Sequence, residues 1–379
     1  MIKDVSVEQV LGMPGIVMVD VRSEGEFEEG TIPGAVNVQL FNNEERAVVG
    51  TEYRTKSPHS ARQIGLDIVS PKLPDIIREI EKAAAPGKKV ALFCWRGGMR
   101  SQSVAYVLDL MGFDVLRISG GYKAYRRHVV SYFSSGLTQK AVVIHGLTGV
   151  GKTIILDILS KAGLPVLDLE GIALHRGSVF GKVGLGPSPS QKNFEAQIFM
   201  ALKKAEKRGL FIVECESRRL GRLLVPESVM NAMKTGYNIL VYAPLEIRVR
   251  RLVEEYTRGG NPEDSILQLK GAVNVLVKYL GNKKANMLNE LIDKGRLETV
   301  AEILLKEYYD PLYKYPDGPD NRYDLCVDAT ETEPASEIIR KFVTGLEEYN
   351  GPVNGGLPCG NREHSEKCSG RKGNIAGNC

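Results

Sequence analysis

The feature that most restricts the fold of this chain is a phosphate-binding loop, which we call the P-loop. Residues 146–153 read GLTGVGKT and carry the complete Walker A spacing. An apolar run at 141–144 precedes the loop, and a helical pattern at 154–159 follows it. A strand, a glycine-rich loop and a helix in this order are typical of a parallel α/β sheet. The predicted phosphate-binding residues are Gly146, Gly149, Gly151, Lys152 and Thr153, and Thr153 is in position to bind Mg²⁺.

A second strand–loop–helix pattern lies around Cys94. The apolar run 90–93 predicts a buried strand, and a helical pattern extends from 101 to 112. The loop's N–H groups and the helix N-terminus would converge on the cysteine sulfur, and positive potential there favours the nucleophilic thiolate. The alternative is a buried structural cysteine before an ordinary glycine turn. We predict that Cys94 is catalytic and that its anion cradle consists of Trp95, Arg96, Gly97, Gly98, Met99, Arg100 and Ser101.

The first 135 residues resemble a rhodanese (sulfurtransferase) domain. The segments that carry the resemblance are DVR at 20–22, GTIPGAVN at 30–37 and ISGGY at 118–122. In rhodaneses the loop cysteine carries a persulfide. Five residues separate Cys94 from Arg100 here, whereas most sulfurtransferase loops have four, and this longer loop resembles that of Cys-x5-Arg phosphatases. The segment 37–70 is longer than the corresponding segment of an ordinary rhodanese, and we expect a less regular elaboration there.

Beyond the P-loop, apolar runs alternate with helical patterns, which predicts a parallel sheet with helices on both faces. The fold class is therefore α/β, with an N-terminal rhodanese-like domain and a C-terminal P-loop NTPase-like parallel-sheet domain with helical elaborations. We place the domains at 1–135 and 138–345, and we interpret the Gly- and Asn-rich residues 346–379 as a disordered tail.

Polar clusters follow several of the predicted strands, where ligands of such sheets bind. Glu214 occupies the place of the metal-ordering acid of P-loop enzymes. We assign no metal ligand and no tightly bound cofactor, apart from the candidate Mg²⁺. Arg248, Arg250 and Arg251 either form a further basic cluster or belong to a solvated helix face. The candidate substrate- or tRNA-binding residues are His175, Arg176, Ser178, Glu214, Glu216, Arg218 and Arg219.

Composition limits the partners and the compartment. The chain has 379 residues and a net charge of +4, so an RNA site must be a local basic patch. No apolar run reaches membrane-spanning length, and we expect no membrane association. Six cysteines without a disulfide-framework spacing, together with a thiol that must stay free, predict a reducing cytoplasmic location.

Four strings narrow the resemblance further. They are CWRGGMRS at 94–101, DLEG at 168–171, HRGSVFG at 175–181 and YYDPLY at 308–313. Together with the domain pairing, they resemble the bacterial tRNA 2-selenouridine synthase family over about residues 1–345. The resemblance implies that wobble 2-thiouridine of tRNA is geranylated with geranyl diphosphate, and that selenium from selenophosphate then replaces the geranylthio group. It also implies an essential Cys94, which we expect to carry a selenyl adduct, and a selenophosphate-supplying enzyme as a partner.

Two other functions remain open from the residues alone. A P-loop small-molecule kinase with a regulatory rhodanese module would turn over ATP without Cys94. A Cys-x5-Arg phosphatase would hydrolyse phosphate esters with the N-terminal domain. Arg176, Arg218, Arg219 and Arg222 are expected to contact RNA phosphates. No residue pattern indicates a pocket for a geranyl chain.

Overall fold

The computed structural model describes residues 2–84, 88–177, 185–257 and 262–349, without the side chains of 262–265. Ser178 and residues 350–379 of the predicted tail lie outside this part. The chain forms two compact units. The first comprises Met1–Ser135 and Pro189–Met200, and the second comprises Gly136–Ser188 and the chain from Ala201 onward.

The described part of the first unit contains a parallel sheet of five strands in the order β1-β5-β4-β2-β3. The strands are β1 Lys3–Val5, β2 Ile16–Asp20, β3 Val36–Asn37, β4 Lys89–Phe93 and β5 Val115–Ile118. The helices are α1 Val7–Leu11, α2 Glu24–Glu29, α3 Asn43–Thr55, α4 Pro58–Val69, α5 Leu73–Ala84, α6 Met99–Leu110 and α7 Gly121–Ser134. The central strand β4 is buried after its first residue, and Cys94 follows directly at its carboxyl end.

The elaboration at 37–70 is more regular than expected, because it contains the helices α3 and α4. Asn42 caps α3 through a hydrogen bond from Glu45 N, and Glu45 returns one from its side chain to Asn42 N. Ser57 caps α4, and Pro58 occupies its first turn. These are standard start signals, so the expectation of irregular structure was wrong because the caps were overlooked.

A late segment of the chain completes the first unit. It comprises the first residues of α10 Gln191–Ala205, up to Met200. Phe199 packs in the same core as Tyr125. The side chain of Asn193 accepts a hydrogen bond from Thr31 N at 3.0 Å, and Ser190 donates one to Glu29 O at 2.7 Å. The first unit is therefore not one continuous stretch of sequence.

The described part of the second unit contains a parallel five-stranded sheet in the order β12-β11-β6-β8-β7. Its strands are β6 Lys140–His145, β7 Val166–Leu167, β8 Leu210–Glu214, β11 Tyr237–Tyr242 and β12 Leu325–Asp328, and β9 Arg219–Leu220 with β10 Leu223–Leu224 forms a separate antiparallel pair. Ile144 of β6 lies opposite Glu214 of β8. This register puts Glu214 beside the start of the P-loop.

Helices pack on this sheet and form a hydrophobic core with its strands. Several of the later helices form a second hydrophobic cluster among themselves. The described helices of this unit are α8 Lys152–Lys161, α9 Leu169–Ala173, the rest of α10, α11 Glu227–Lys234, α12 Leu245–Thr257, α13 Pro262–Val275, α14 Val277–Leu280, α15 Asn282–Asp293, α16 Leu297–Leu304, α17 Asp310–Tyr313 and α18 Thr332–Thr344. The two parallel sheets confirm the predicted α/β fold class. Within the described residues, no helix has the length and apolar character needed to cross a membrane.

Candidate active site

The Cys94 side chain is buried at the end of β4, below the N-terminus of α6. Ser101 Oγ lies 3.4 Å from Cys94 Sγ and also donates a hydrogen bond to Gly98 O at 3.1 Å. Arg96 and Met99 are exposed on the loop. The loop therefore closes around the sulfur from Cys94 to Ser101, with Ser101 as the polar side chain nearest to it among the described contacts.

The backbone of the ISGGY segment holds the cysteine loop from the other side. Tyr122 N donates to Cys94 O at 2.9 Å, and Lys123 N donates to Trp95 O at 2.9 Å. Gly121 has a φ of 57°, and a Cβ there would lie 2.1 Å from Cys94 O. Only glycine fits this conformation and this close approach.

The DVR segment forms a buried network beneath the same loop. Arg22 donates to the Asp20 carboxylate at 2.6–3.1 Å and to Gly30 O at 2.6 Å. Its guanidinium also lies 4.2 Å from the ring centroid of Tyr122. The buried guanidinium of Arg22 thus connects all three rhodanese-like segments. Its pairing with Asp20 offsets the cost of burying a charge.

Arg100 does not stand free in the anion cradle. Its guanidinium forms a two-point ion pair with Glu26, with N–O distances of 2.6 and 3.3 Å. Burial alone would raise the pKa of Glu26, but the hydrogen bond and charge of Arg100, together with the charges of Arg46 and Arg22, lower it. The pair fixes the orientation of Arg100 beside the loop.

The P-loop has the geometry that its glycines predict. Gly146, Gly149 and Gly151 all have positive φ, and a Cβ on Gly146 would lie 2.2 Å from Val241 O. Lys152 Nζ lies 3.0 Å from Gly146 O and 3.4 Å from Leu147 O. The ammonium therefore sits over the mouth of the loop, where phosphate oxygens bind in such sites.

Two arginines of α12 support the P-loop from outside. Arg248 donates to Thr148 O at 2.8 Å and pairs with both oxygens of Asp310, at 3.0 and 2.5 Å. Arg251 donates to Val150 O at 2.8 Å and to Ala329 O at 2.8 Å. Arg250 between them is exposed. Thus, of the three arginines, two hold the loop backbone and the third lies on the solvated face.

Three carboxylates converge next to Lys152. One oxygen from each of Glu170, Glu214 and Glu216 lies within 4.8 Å of the others. Glu214 is 1% exposed, and its Oε1 has no hydrogen-bond partner among the described residues. Burial is the largest cause that raises the pKa of all three carboxyls; their mutual repulsion raises it further, and Lys152 partly opposes both. The sequence singled out Glu214 and Glu216, but Glu170 was not among the predicted site residues.

This cluster has the donor set that a hard divalent cation prefers. Carboxylate oxygens are the ligands that Mg²⁺ binds in proteins, and an unpartnered buried oxygen is costly without one. Gly177, with a φ of 62°, approaches the cluster so closely that a Cβ would lie 2.9 Å from Glu216 Oε2. The residues present therefore fit Mg²⁺ held by Glu170, Glu214 and Glu216.

The P-loop and the carboxylate cluster line one cavity of about 620 Å³. Arg176 lies at its edge, where its guanidinium pairs with Glu255 at 2.6 Å. Tyr313 and Tyr315 form an aromatic wall, with ring planes 9° apart and centroids separated by 6.3 Å. Burial raises the pKa of Tyr313 to about 12, so this phenol stays neutral and can donate a hydrogen bond.

The other predicted substrate residues lie at the border of this cavity or away from it. His175 is buried and packs against Gly221, where a Cβ would lie 2.8 Å from the imidazole ring. Arg218 and Arg219 are exposed around the β9–β10 pair. Arg222 donates to Ser188 O at 2.8 Å. The structure thus brings Arg176, Glu214 and Glu216 together with the P-loop, and keeps Arg218 and Arg219 on the surface.

Comparisons with known proteins match both the N-terminal and the C-terminal part of the chain. Residues 139–341 match the family model described as the tRNA 2-selenouridine synthase AAA domain, and residues 5–128 match the rhodanese-like domain. The tRNA 2-selenouridine synthase of Psychromonas ingrahamii is 31% identical, covering 79% of this chain and 87% of that protein. That of Nitrosomonas europaea is 33% identical, covering 78% and 88%. That of Pseudomonas syringae pv. tomato is 35% identical, covering 81% and 90%.

Proposed function

The chain belongs to the tRNA 2-selenouridine synthase family, and we propose that it converts wobble 2-thiouridine of tRNA to 2-selenouridine in two steps at two sites. Geranyl transfer takes place at the P-loop, and selenium transfer takes place at Cys94. The observation that carries this assignment is the presence of two strand–loop–helix turns with positive-φ glycines and different reactive groups. One loop encloses a thiol, and the other carries an ammonium beside three carboxylates.

In the first step the sulfur of 2-thiouridine attacks C1 of geranyl diphosphate. The S–C1 bond forms, the C1–O bond breaks, and diphosphate leaves as the nucleobase loses its N3 proton. The backbone N–H groups of the P-loop and Lys152 bind the diphosphate and stabilise its growing charge. This use of a Walker A loop requires no ATP hydrolysis.

Mg²⁺ bound by Glu170, Glu214 and Glu216 would supply further positive charge for a diphosphate in this cavity. Without the cation, the three carboxylates would repel an anionic substrate. The positive charge of Lys152 offsets part of that repulsion, and the same charge lowers the pKa of each carboxyl. Tyr313 and Tyr315 offer ring faces on which an unstacked uracil can lie.

In the second step selenium replaces the geranylthio group at C2. We assign Cys94 as the nucleophile that attacks the phosphorus of selenophosphate: an S–P bond forms and the Se–P bond breaks. The released selenide adds to C2 and expels geranylthiolate, which takes up a proton. Water then hydrolyses the phosphorylated cysteine. The expected selenyl adduct would instead need a reductant for its release, whereas this sequence is redox-neutral.

The test is a reaction of the purified full chain with 2-thiouridine tRNA, Mg²⁺ and geranyl diphosphate, followed by nucleoside mass spectrometry. We expect S-geranyl-2-thiouridine to accumulate and to become 2-selenouridine when selenophosphate is added. Steady ATP turnover with no modified nucleoside would support a kinase instead. Release of phosphate from simple esters that depends on Cys94 and not on the P-loop domain would support a phosphatase.

A further inference from the structure

A narrow apolar cleft lies among the helices that follow the P-loop sheet in sequence. It is narrow, and the centre of a water molecule can move through about 50 Å³ of it. Its walls come from α12, α13, α15 and α16, and almost all of the lining surface is carbon. Val300, Ala301 and Leu304 of α16 form one side. Apolar surface left open to water is unfavourable, so the cleft is suited to an apolar group.

The cleft adjoins the phosphate cavity. Thr148, Leu252 and Tyr256 line both of them. Thr148 is a residue of the P-loop itself, between the phosphate-binding Gly146 and Gly149. A molecule with its anionic head on the loop would therefore meet carbon surface as soon as it passed Thr148.

The alignment of cleft and loop is fixed by a buried ion pair. Arg248 of α12 holds Thr148 O and pairs with Asp310, and Tyr309 next to Asp310 lines the cleft. Arg248 is 3% exposed. Arg248 thus connects α12 and the segment around Tyr309, which line the cleft, to the backbone of the P-loop. The fold therefore fixes the distance between the anion site and the apolar cleft.

We propose that this cleft binds the ten-carbon chain of the allylic diphosphate while the P-loop binds its diphosphate. The inference rests on the proposed geranyl transfer and assigns a binding position to the geranyl group. A nucleotide base fits the cleft poorly, because a base needs hydrogen-bond partners and the lining offers almost none. An isoprenoid chain has no polar atoms, so it loses nothing on entering.

The first experiment uses the native full chain and a series of ligands with the same head. Calorimetric titration with Mg²⁺ compares inorganic diphosphate, dimethylallyl diphosphate and geranyl diphosphate. Each buried methylene typically adds roughly fourfold in affinity, so geranyl diphosphate should bind at least about tenfold more tightly than dimethylallyl diphosphate. Equal affinities across the series would overturn the proposal without any variant.

The second experiment fills the cleft with Ala301→Phe. We expect binding of geranyl diphosphate to weaken at least about tenfold and that of inorganic diphosphate to stay within twofold. Glu302→Phe adds the same ring at the exposed neighbouring position and is the matched control. Unchanged geranyl diphosphate binding by a folded Ala301→Phe protein would contradict the proposal. Should that variant not fold, Ala301→Leu tests the same wall with a smaller side chain.

The geranylation assay separates this inference from the proposed function. If the native chain forms no geranylated tRNA with geranyl diphosphate, the proposed function fails. If the native chain forms it and Ala301→Phe keeps the native KM for geranyl diphosphate, only the cleft assignment fails. The expected result is activity in the native chain and a KM raised at least about tenfold in the variant.

Discussion

The cysteine loop and the P-loop have the same local construction, but different parts of the chain support them. Each follows a buried strand of a parallel sheet, turns on glycines with positive φ and leads into a helix. The cysteine loop is held by hydrogen bonds from the backbone N–H groups of residues 122 and 123. Gly121 permits this close approach because it has no side chain. The P-loop is held by the guanidinium groups of Arg248 and Arg251. Glycine spacing therefore predicts the loop, whereas distant segments determine its support.

The two loops also differ in how their charges are paired. The charge of Arg100 beside the cysteine loop is neutralised by Glu26, and this ion pair fixes the position of the Arg100 guanidinium. Beside the P-loop, three carboxylates with raised pKa face one ammonium. The Arg100 charge beside the first loop is paired within the protein, whereas the second site has the charge pattern of a site that binds a cation together with its substrate.

The largest expected effect is that of Cys94→Ser on the selenium step. Loss of the nucleophile should reduce conversion of geranylated tRNA to 2-selenouridine by roughly 1,000-fold or more. Geranylation should stay at the native rate, because that step uses the other loop. Cys326→Ser, which changes the partly buried thiol of the second unit, is the control. Normal selenation by Cys94→Ser would make Cys94 structural.

Gly121→Ala should damage the cysteine loop without removing any reactive group. The new Cβ would overlap Cys94 O, so the loop must move and selenation should fall at least about tenfold. Gly112→Ala carries the strain of a positive φ of 87° but meets no atom within 4 Å. It should lower stability by about 1–2 kcal/mol and keep its activity. Equal selenation rates in the two variants, measured by nucleoside mass spectrometry, would count against backbone support.

Arg251→Gln should weaken the P-loop and leave the cysteine loop unaffected. Hydrogen bonds from a charged donor contribute about 1.5–3 kcal/mol, so binding of inorganic diphosphate should weaken by about tenfold or more. The neighbouring Arg250→Gln changes an exposed side chain and should stay within twofold. Titration calorimetry measures both. If the two variants behave alike, Arg251 does not support phosphate binding.

Glu214→Gln should raise the stability of the metal-free protein at high pH. Burial raises the pKa of the Glu214 carboxyl well above its ordinary value. At low pH the Glu214 carboxyl is neutral in the folded and the unfolded protein and does not affect the free energy of unfolding. As pH rises, the carboxyl ionises first in the unfolded protein, which lowers the free energy of unfolding of the native chain. We expect a Tm gain of roughly 2–4 °C at pH 8, a shift that corresponds to about 1 kcal/mol, and a smaller one at pH 5. The exposed control is Glu290→Gln, and calorimetry without Mg²⁺ gives the answer. A lower Tm at pH 8 would contradict the proposed cost.

Sequence patterns were sufficient for the parts of the fold that depend on local order. Apolar runs and glycine spacing predicted the strands before both loops, and the strand–helix alternation predicted the parallel sheets. The return of residues 189–200 to the first unit could not be read in this way, since it depends on packing of Phe199 in a remote core. Glu170 was not assigned to the site for a similar reason: it meets Glu214 only after the sheet has formed.

The central claim is that the two loops serve separate steps, and Lys152→Ala tests it most directly. The variant is given pre-geranylated tRNA and selenophosphate, and 2-selenouridine is measured by mass spectrometry. It should form 2-selenouridine at the native rate. Starting from 2-thiouridine tRNA, it should geranylate roughly 30- to 1,000-fold more slowly, the effect of losing about 2–4 kcal/mol of charge stabilisation. An equal loss from both starting tRNAs would contradict the division of labour between the loops.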